Sequence, residues 1–439
     1  MANQRFEQLQ SLFAKFGISG VFTRHVSTTF GTQILSLAIA LATGAITARW
    51  LGPQGKGMLG LAVLLPTMLS LFLSGGLGAA NVYFAGSRRL EMPVLTANSV
   101  AFALLATIAG AGIVIGLTLT GWLEKLVPGV PVWALLLAML GLPTGLLTGY
   151  FSALLQGLRQ ITALNAVTLV QGAFTLSLTL IMVAGLGWGL TGAILAILIA
   201  GLSGLTATAI LVHRAGGQLR PRWKRPVMRD TLSYGLRGYV GNVLQFFNYR
   251  LDAFIVNFYL GPAATAIYGV AVVMAEMLWY LPNSVGFVIF PKAAATRPEE
   301  MNRFTPRVFR VTLGLTALGA VVLALVGRFL IDLIYTPAFA SAYVPLLLLL
   351  PGVVLLGGAK VLTNEIAGRG YLQYNSINSG LALVLTIVLD LLLIPRYGVQ
   401  GAALASTIAY SAIFFTAIFF YRSVSRRAPP LSPAEELRT

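Results

Sequence analysis

Long uninterrupted runs of apolar residues, rather than alternating apolar and polar positions, dominate this chain. The runs reach about 18 residues or more, close to the length that a helix needs to cross a hydrocarbon layer about 30 Å thick. Residues 346–350 are all Leu, whereas the strands of a transmembrane barrel would alternate. We therefore predict an all-α polytopic membrane protein of about twelve transmembrane helices. The predicted spans are 26–50, 58–85, 93–122, 132–156, 161–186, 190–212, 231–259, 264–290, 306–335, 342–367, 371–395 and 399–421.

The two halves of the chain share a sequence repeat. LGPQGKGMLGLA at 51–62 aligns with LGPAATAIYGVA at 260–271, and GLTGAILA at 189–196 aligns with GVQGAALA at 398–405. Both alignments have the same shift of 209 residues. The shift covers six predicted spans, and an even number of spans returns the chain to the same side of the membrane. The halves are therefore predicted to be two parallel six-helix repeats, related by an axis along the membrane normal.

Hydrophobicity and charge together divide the chain into five predicted segments. The first is an interfacial amphipathic helix within 1–25, because Phe and Leu residues form one helical stripe there. An N-lobe at 26–213 and a C-lobe at 231–421 hold six spans each, and a basic cytoplasmic linker at 214–230 joins them. The tail at 422–439 is polar and rich in Pro, which is typical of disorder.

The net charge of +17 could indicate a nucleic-acid partner, but its distribution favours a different explanation. Twenty-two of the 30 Lys and Arg residues lie at the chain ends or in alternate loops, on one predicted side of the membrane. The opposite loops hold only Arg49, Lys56, Lys125 and Arg396. The positive-inside rule therefore predicts a multi-pass protein of the cytoplasmic (inner) membrane with both termini in the cytoplasm. No nucleic-acid partner is expected.

Composition also argues against an enzyme. The chain has no cysteine, which excludes disulfides, thiolate zinc sites and a cysteine nucleophile. No cluster of His with acidic residues surrounds His25 or His213, so no metal site and no catalytic residues are predicted. A membrane-bound glycosyltransferase or polymerase would need acidic metal-binding clusters or a large outside loop, and the sequence predicts neither.

Five segments, in this order along the chain, resemble the polysaccharide transporter and O-antigen flippase family. They are ITARWLGPQGKGMLGLA at 46–62, GGLGAANVYFAG at 75–86, RLDAFIVNFYLGPAATAIYGVA at 250–271, VIFPKAAA at 288–295 and LIPRYGVQGAALAST at 393–407. This family belongs to the multidrug/oligosaccharidyl-lipid/polysaccharide (MOP) exporter superfamily. The resemblance implies a MATE-like, V-shaped pair of six-helix bundles that moves a polyprenyl-diphosphate-linked oligosaccharide across the membrane by alternating access. The implied partners are that lipid-linked saccharide, membrane lipids and polysaccharide polymerase machinery.

Ionisable residues inside the predicted spans concentrate in the second half. Each costs about 2.5–3.5 kcal/mol or more at the centre of a bilayer, so each should face a cavity or a partner. Arg offers a fork of donors to a phosphate and Lys offers a point charge. The predicted substrate-binding residues are Arg250, Lys360, Arg49 and Arg237. The predicted ion-coupling candidates, for a Na⁺ or H⁺ and with no other cofactor, are Asp252, Glu276, Glu365 and Asp390.

Each of these assignments has a structural alternative. Ion pairing with another helix could explain Arg250 and Lys360, since Arg250 and Asp252 are two residues apart and point to different faces of one helix. Arg49 and Arg237 could extend along the helix to the membrane surface. Glu365 and Asp390 lie near the ends of their spans, where interfacial solvation is the alternative.

Two functions remain open on the sequence. One is the flippase, and the alternative is an ion-coupled multidrug or small-molecule exporter of the same superfamily. Cationic drugs suit an anionic cavity, whereas the predicted spans contain several bases as well as acids. The sign of the charge in the cavity therefore favours the flippase.

The predicted topology can be tested with single cysteines, because the chain has none of its own. We expect Gly216→Cys and Ala428→Cys to be protected from a membrane-impermeant maleimide in intact cells and labelled after permeabilisation. Labelling of either residue in intact cells would contradict the topology.

Overall fold

The computed structural model describes residues 20–426, and it describes side chains for 31–236 and 239–426. Most of the predicted interfacial helix at 1–25, including its apolar stripe, lies outside the described residues. The same holds for the tail from residue 427 onward. Within the described part, the regular elements are helical.

The first of two compact units comprises residues 20–125 and 129–239 of the described chain. Its helices are α1 (Gly20–Leu73), α2 (Leu77–Gly86), α3 (Met92–Leu119), α4 (Trp122–Leu126), α5 (Val132–Met139), α6 (Gly141–Gly157), α7 (Ile161–Thr179), a π-helix (Leu180–Gly185), α8 (Gly189–Arg214) and the first part of α9 (Arg225–Glu276). Helix α6 contributes residues to two clusters of buried apolar side chains. Leu142 and Leu146 belong to one, and Phe151 and Leu154 belong to the other. Helix α6 is therefore a central helix of this unit.

The second unit comprises residues 126–128 and 240–426 of the described chain. It holds the rest of α9, a 3₁₀ turn (Met277–Trp279), α10 (Tyr280–Ala295), α11 (Pro298–Ile334), a 3₁₀ turn (Pro337–Ala342), α12 (Tyr343–Gly368), α13 (Leu372–Tyr397) and α14 (Val399–Ser425). Helix α12 is buried over most of its surface. At Gly352 it approaches α14 so closely that an added Cβ would lie 2.6 Å from the Thr407 Cα. Small residues permit such contacts between membrane helices.

The structure contains ten helical segments that are long and apolar enough to cross a membrane, counted over its described residues. Two of them, Gly31–Leu73 and Tyr239–Ala295, are far longer than one crossing needs. Each is interrupted by one residue with non-helical backbone angles, Gly52 or Gly261. The ten segments are therefore compatible with the twelve predicted spans, because each interruption joins two spans that the sequence separates.

The chain folds back sharply at both interruptions. The Lys56 ammonium donates to the Gly44 carbonyl at 2.9 Å, although a straight helix would separate residues twelve apart by about 18 Å. Likewise, the Tyr268 hydroxyl lies 2.6 Å from an Asp252 carboxylate oxygen, sixteen residues earlier. Each interruption thus creates a helical hairpin.

Corresponding positions of the sequence repeat have corresponding backbone conformations. Gly52 and Gly261 have φ angles of 64° and 80° with extended ψ angles, a region that is essentially restricted to glycine. Gly189 and Gly398 have φ angles of 54° and 60°. The repeat therefore preserves the local geometry of two turns as well as their sequence.

The outer surface carries many large apolar side chains. Leu119 is 83% exposed, Leu325 79% and Ile108 69%. Such exposure is unfavourable in water but matches a hydrocarbon solvent. Together these features show an all-α polytopic membrane fold.

Candidate functional site

A polar stripe runs along the part of α9 that lies within the second unit. Gln245, Asn248, Tyr249 and Asp252 follow one another at intervals of three, one and three residues. That spacing places all four on one side of a helix. Their contacts are with the second arm of α9 and with α12, α13 and α14. The stripe therefore connects several helices of this unit.

Arg250, next to this stripe, forms an ion pair with Glu276. Two guanidinium nitrogens donate to the two carboxylate oxygens at 3.0 and 3.1 Å. Glu276 is at the end of the second arm of the α9 hairpin. Both side chains keep partial exposure, 37% for Arg250 and 21% for Glu276. The bidentate geometry explains how this unit holds an arginine within a predicted span.

Lys360 on α12 contacts an amide oxygen and two aromatic rings instead of an acidic side chain. Its ammonium donates to the Asn283 side-chain oxygen at 2.9 Å and lies 4.4 Å from the ring centre of Trp279. The Tyr249 ring is 5.7 Å away. Aromatic faces attract a cation without cancelling its charge. Among the described residues, Lys360 has no ion pair.

Asp252 is buried and fully engaged in hydrogen bonds. It accepts a bond from the Tyr268 hydroxyl at 2.6 Å and another from the backbone N–H of Ala253 at 2.7 Å. The Tyr268 hydroxyl is also 3.0 Å from the Ser406 hydroxyl. Arg250 and Asp252 thus have different partners, although only one residue separates them.

Asp390 on α13 is completely buried, and neither carboxylate oxygen has a hydrogen-bond partner among the described residues. Its charge and that of Asp252 are close enough to interact. One helical turn before Asp390, Thr386 donates to the Asn248 side-chain oxygen at 2.9 Å. A buried carboxylate without partners is stable only when it is protonated or when it binds a cation. Its burial differs from the interfacial position considered for it on the sequence.

Glu365, another ion-coupling candidate on α12, forms a buried ion pair with Arg369, which directly follows the last residue of that helix. Arg369 also donates to the Asn302 side-chain oxygen at 2.6 Å, and Asn302 donates to the Ser425 carbonyl at 3.2 Å. This network connects α11, α12 and α14. The contacts of Glu365 are therefore those of a structural ion pair, not of a solvated interfacial acid.

Arg49 and Arg237 are the other two predicted substrate ligands. Arg49 belongs to the first unit, where it is exposed three residues before the interruption at Gly52. Arg237 lies on α9, but its side chain is outside the described residues. The structure therefore brings together Arg250, Glu276 and Lys360 from the predicted set.

Several residues of this site carry no charge, so they are not among the charged candidates predicted from the sequence. Asn283, Trp279 and Tyr249 surround Lys360, and Tyr268 and Ser406 lie next to Asp252. The spacing of the uncharged polar residues along α9 was the signal that could have revealed the stripe.

The Arg250–Glu276 pair predicts a measurable coupling between the two side chains. Arg250→Ala and Glu276→Ala should each lower the unfolding temperature of the purified protein, because each leaves one charge without its partner. The double variant should recover part of that loss, equivalent to about 1 kcal/mol for a half-exposed pair.

The exposed pair Arg328–Asp332, 3.1 Å apart on α11, provides the control. The same cycle of variants there should show a smaller coupling, about 0.3–0.5 kcal/mol, because a single contact joins two side chains one turn apart on the same helix. Strictly additive effects at Arg250 and Glu276 would show that the ion pair does not stabilise the fold.

Two solved structures of transporters have the same fold as this chain. The lipid II flippase MurJ in an inward closed conformation matches with a TM-score of 0.74 and 16% identity, over 91% of this chain and 87% of that chain. A multidrug resistance MATE family transporter of the MOP superfamily, in an inward-facing conformation, matches with a TM-score of 0.71 and 15% identity. That alignment covers 89% of this chain and 94% of the transporter. The predicted MATE-like fold is thereby confirmed.

Two curated proteins are similar in sequence over part of their length. An uncharacterized membrane protein of Methanocaldococcus jannaschii is 24% identical over 206 residues, 45% of this chain and 40% of that protein. A protein of Haloferax volcanii named probable flippase AglR is 25% identical over 208 residues, 46% of this chain and 43% of that protein. The matched region thus spans less than half of either relative.

A family model described as "Polysaccharide biosynthesis protein" matches residues 46–344. This match covers well over half of the chain and includes the whole polar stripe, Arg250, Glu276 and both hairpin turns. The sequence segments that resembled polysaccharide transporters fall largely within the same range. The chain belongs to this family of polysaccharide biosynthesis proteins.

Proposed function

We propose that this protein is a flippase that moves a polyprenyl-diphosphate-linked oligosaccharide across the cytoplasmic membrane by alternating access. In this proposal both termini lie in the cytoplasm, and the saccharide serves cell-surface polysaccharide biosynthesis by supplying a polymerase outside. The protein transports its substrate without changing its covalent bonds. Family membership supports the role in polysaccharide biosynthesis.

The observation that carries the proposal is the setting of Lys360. A lysine ammonium has three N–H donors, and Asn283 accepts from one of them. The rings of Trp279 and Tyr249 hold the cation in place and leave its charge available. Arg250 is matched by Glu276, whereas Lys360 has no acidic partner in an ion pair among the described residues. A diphosphate entering this site would find a fixed cation with free donors.

Similar proteins support transport in general. The similar Haloferax protein is named as a flippase, and MurJ is a lipid II flippase with the same fold. MATE transporters with this fold are described as multidrug resistance proteins. The sign of the charge at Lys360 favours an anionic substrate over a cationic drug, so the flippase is the preferred function.

The decisive experiment is a flipping assay in proteoliposomes with a fluorescent short-chain polyprenyl diphosphate that carries one sugar. We expect the wild-type protein to move the probe between leaflets. Lys360→Gln should lower the rate about tenfold or more, because a hydrogen bond to a charged group contributes about 1.5–3 kcal/mol.

Lys292→Gln is the matched control, since Lys292 also lies over an aromatic ring, 3.7 Å from the centre of Phe304, at the end of α10. It should flip at the wild-type rate. A Lys360→Gln protein as active as wild type would remove the support for this site. Transport of cationic dyes without any flipping would instead identify a drug exporter.

We further propose that Asp252 and Asp390 carry the coupling ion, a proton or Na⁺. Asp390 supplies two buried carboxylate oxygens without partners, and Asp252 is close enough to interact with it. Side-chain oxygens of Asn248 and Ser406 belong to the same polar network. Binding and release of a cation here would change the charge of the network and could thereby favour one conformation over another.

Imposed gradients test the coupling. Flipping by the wild type should accelerate under either a pH gradient or a Na⁺ gradient, and the effective gradient identifies the ion. Asp390→Asn should fold, because the amide has nearly the same size and shape as the carboxyl group. Its flipping rate should not respond to the gradient, because an amide carries no charge and cannot take up the ion. Asp332→Asn, at the exposed pair on α11, should keep the wild-type response. Retention of that response by Asp390→Asn would contradict its role as an ion carrier.

A further inference from the structure

A small polar cavity lies beside Lys360 within the second unit. Its volume is about 90 Å³, and residues of α9, α12, α13 and α14 line it. Besides Lys360, its polar lining includes Gln245 and Asn248 of α9 and Asn375 and Ser379 of α13. Such a concentration of amides and hydroxyls is unusual inside an apolar helix bundle, where each polar group needs a partner.

Several of these groups lack hydrogen-bond partners among the described residues. The Asn248 oxygen accepts from Thr386, but its amide nitrogen has no partner. The Asn375 nitrogen donates to the Thr363 carbonyl at 3.2 Å, whereas its oxygen is buried without a partner. Within the part of the chain that the structure describes, no hydrogen bond engages the Ser379 hydroxyl or the side-chain oxygen of Gln245. The cavity therefore presents both unused donors and unused acceptors.

This mixture identifies the chemistry of a matching ligand. A phosphate offers only acceptors, so it could satisfy the Asn248 nitrogen but not the oxygen of Gln245. A sugar hydroxyl donates and accepts, and an acetamido group provides one N–H and one carbonyl. Either would satisfy both kinds of group.

The size of the cavity limits how much of a ligand it can enclose. Sites that bury a whole drug-sized molecule measure about 300–1,000 Å³, several times the volume found here. The cavity can therefore hold one edge of a sugar ring, with two or three polar substituents, while the remainder lies outside.

We propose that this cavity recognises the sugar attached directly to the diphosphate, by its hydroxyl or acetamido groups. The inference rests on the proposed function, because it requires the diphosphate to be bound by Lys360. Lys360 borders the cavity, and the first sugar is bonded directly to the phosphate. A phosphate held by the ammonium therefore brings that sugar to the cavity mouth. Lys360 binds the carrier, and the amides and hydroxyl of the cavity select the sugar.

Native mass spectrometry of the purified full-length protein can separate these two roles. Three probes are titrated: a polyprenyl diphosphate, the same carrier bearing one N-acetylglucosamine, and phosphatidylglycerol. The wild type should bind the glycosylated carrier about tenfold more tightly than the bare carrier, which corresponds to one or two additional neutral hydrogen bonds. Lys360→Gln should weaken both carriers by the same factor.

Ser379→Ala and Gln245→Ala should each reduce the preference for the glycosylated carrier by about three- to tenfold. Binding of the bare carrier should not change. The Ser379 hydroxyl has no partner, so its removal leaves the contacts of the fold intact. Gln373→Ala, an exposed residue on α13 outside the cavity, is the matched control and should keep the full preference.

Each other outcome is informative. A wild type without any preference, or a preference that survives both cavity variants, would overturn the assignment of the sugar. Variants that weaken phosphatidylglycerol but leave the preference intact would assign the cavity to the glycerol of a lipid head group instead. A wild type that binds neither carrier would refute the proposed function itself, and the bare-carrier titration reports that failure separately.

Discussion

Inside a hydrocarbon layer, a polar or charged group is stable only when the protein itself supplies its partner. This constraint organises the second unit. Arg250 is matched by Glu276, Glu365 by Arg369, and Asp252 by Tyr268. Three of the incompletely satisfied sites within the described residues concern the proposed function: the Lys360 ammonium, the Asp390 carboxylate and the polar cavity. They provide a charge for an anion, a site for a cation, and a mixed set of donors and acceptors for hydroxyl groups.

The two units share a repeat but differ in chemistry. The first unit also encloses a cavity, of about 430 Å³, which no ionisable residue lines. Gln171 and several hydroxyls are its polar groups. At the shift of 209 residues, the positions equivalent to Arg250 and Asp252 are Leu41 and Thr43. Duplication thus preserved the scaffold and its glycine turns, while the groups proposed to bind substrate and ion belong to one copy.

The sequence was sufficient to predict the helical membrane fold, because span length and apolar composition depend on the solvent rather than on tertiary contacts. The repeat likewise predicted equivalent turns at Gly52 and Gly261. The predicted spans end and begin again at both turns, where the structure has one non-helical glycine between two helical arms. The helix ends were less predictable, because polar residues outside the apolar layer extend several helices: α11 begins at Pro298 rather than near residue 306.

The candidate site was only partly accessible from the sequence. Ionisable residues in apolar spans identified Arg250, Glu276 and Lys360, because their desolvation is costly wherever they lie. The packing between helices decides which charges neutralise each other. The pairing of Arg250 with Glu276 could therefore not be predicted from the sequence and is seen only in the structure. The uncharged partners Asn283 and Trp279 were missed for the same reason. Asn and Trp are common in membrane helices, and only the neighbouring side chains in the fold show that these two residues bind Lys360.

The α9 hairpin also bears on how the protein is made. Arg250 and Glu276 lie on its two arms, joined by a turn at Gly261 that leaves almost no loop. A nascent chain that contains residue 276 already holds both members of the pair, before α10 to α14 have been synthesised. The translocon can therefore receive the hairpin as one insertion unit with its charges neutralised, so that neither arm has to enter the lipid as an isolated ion.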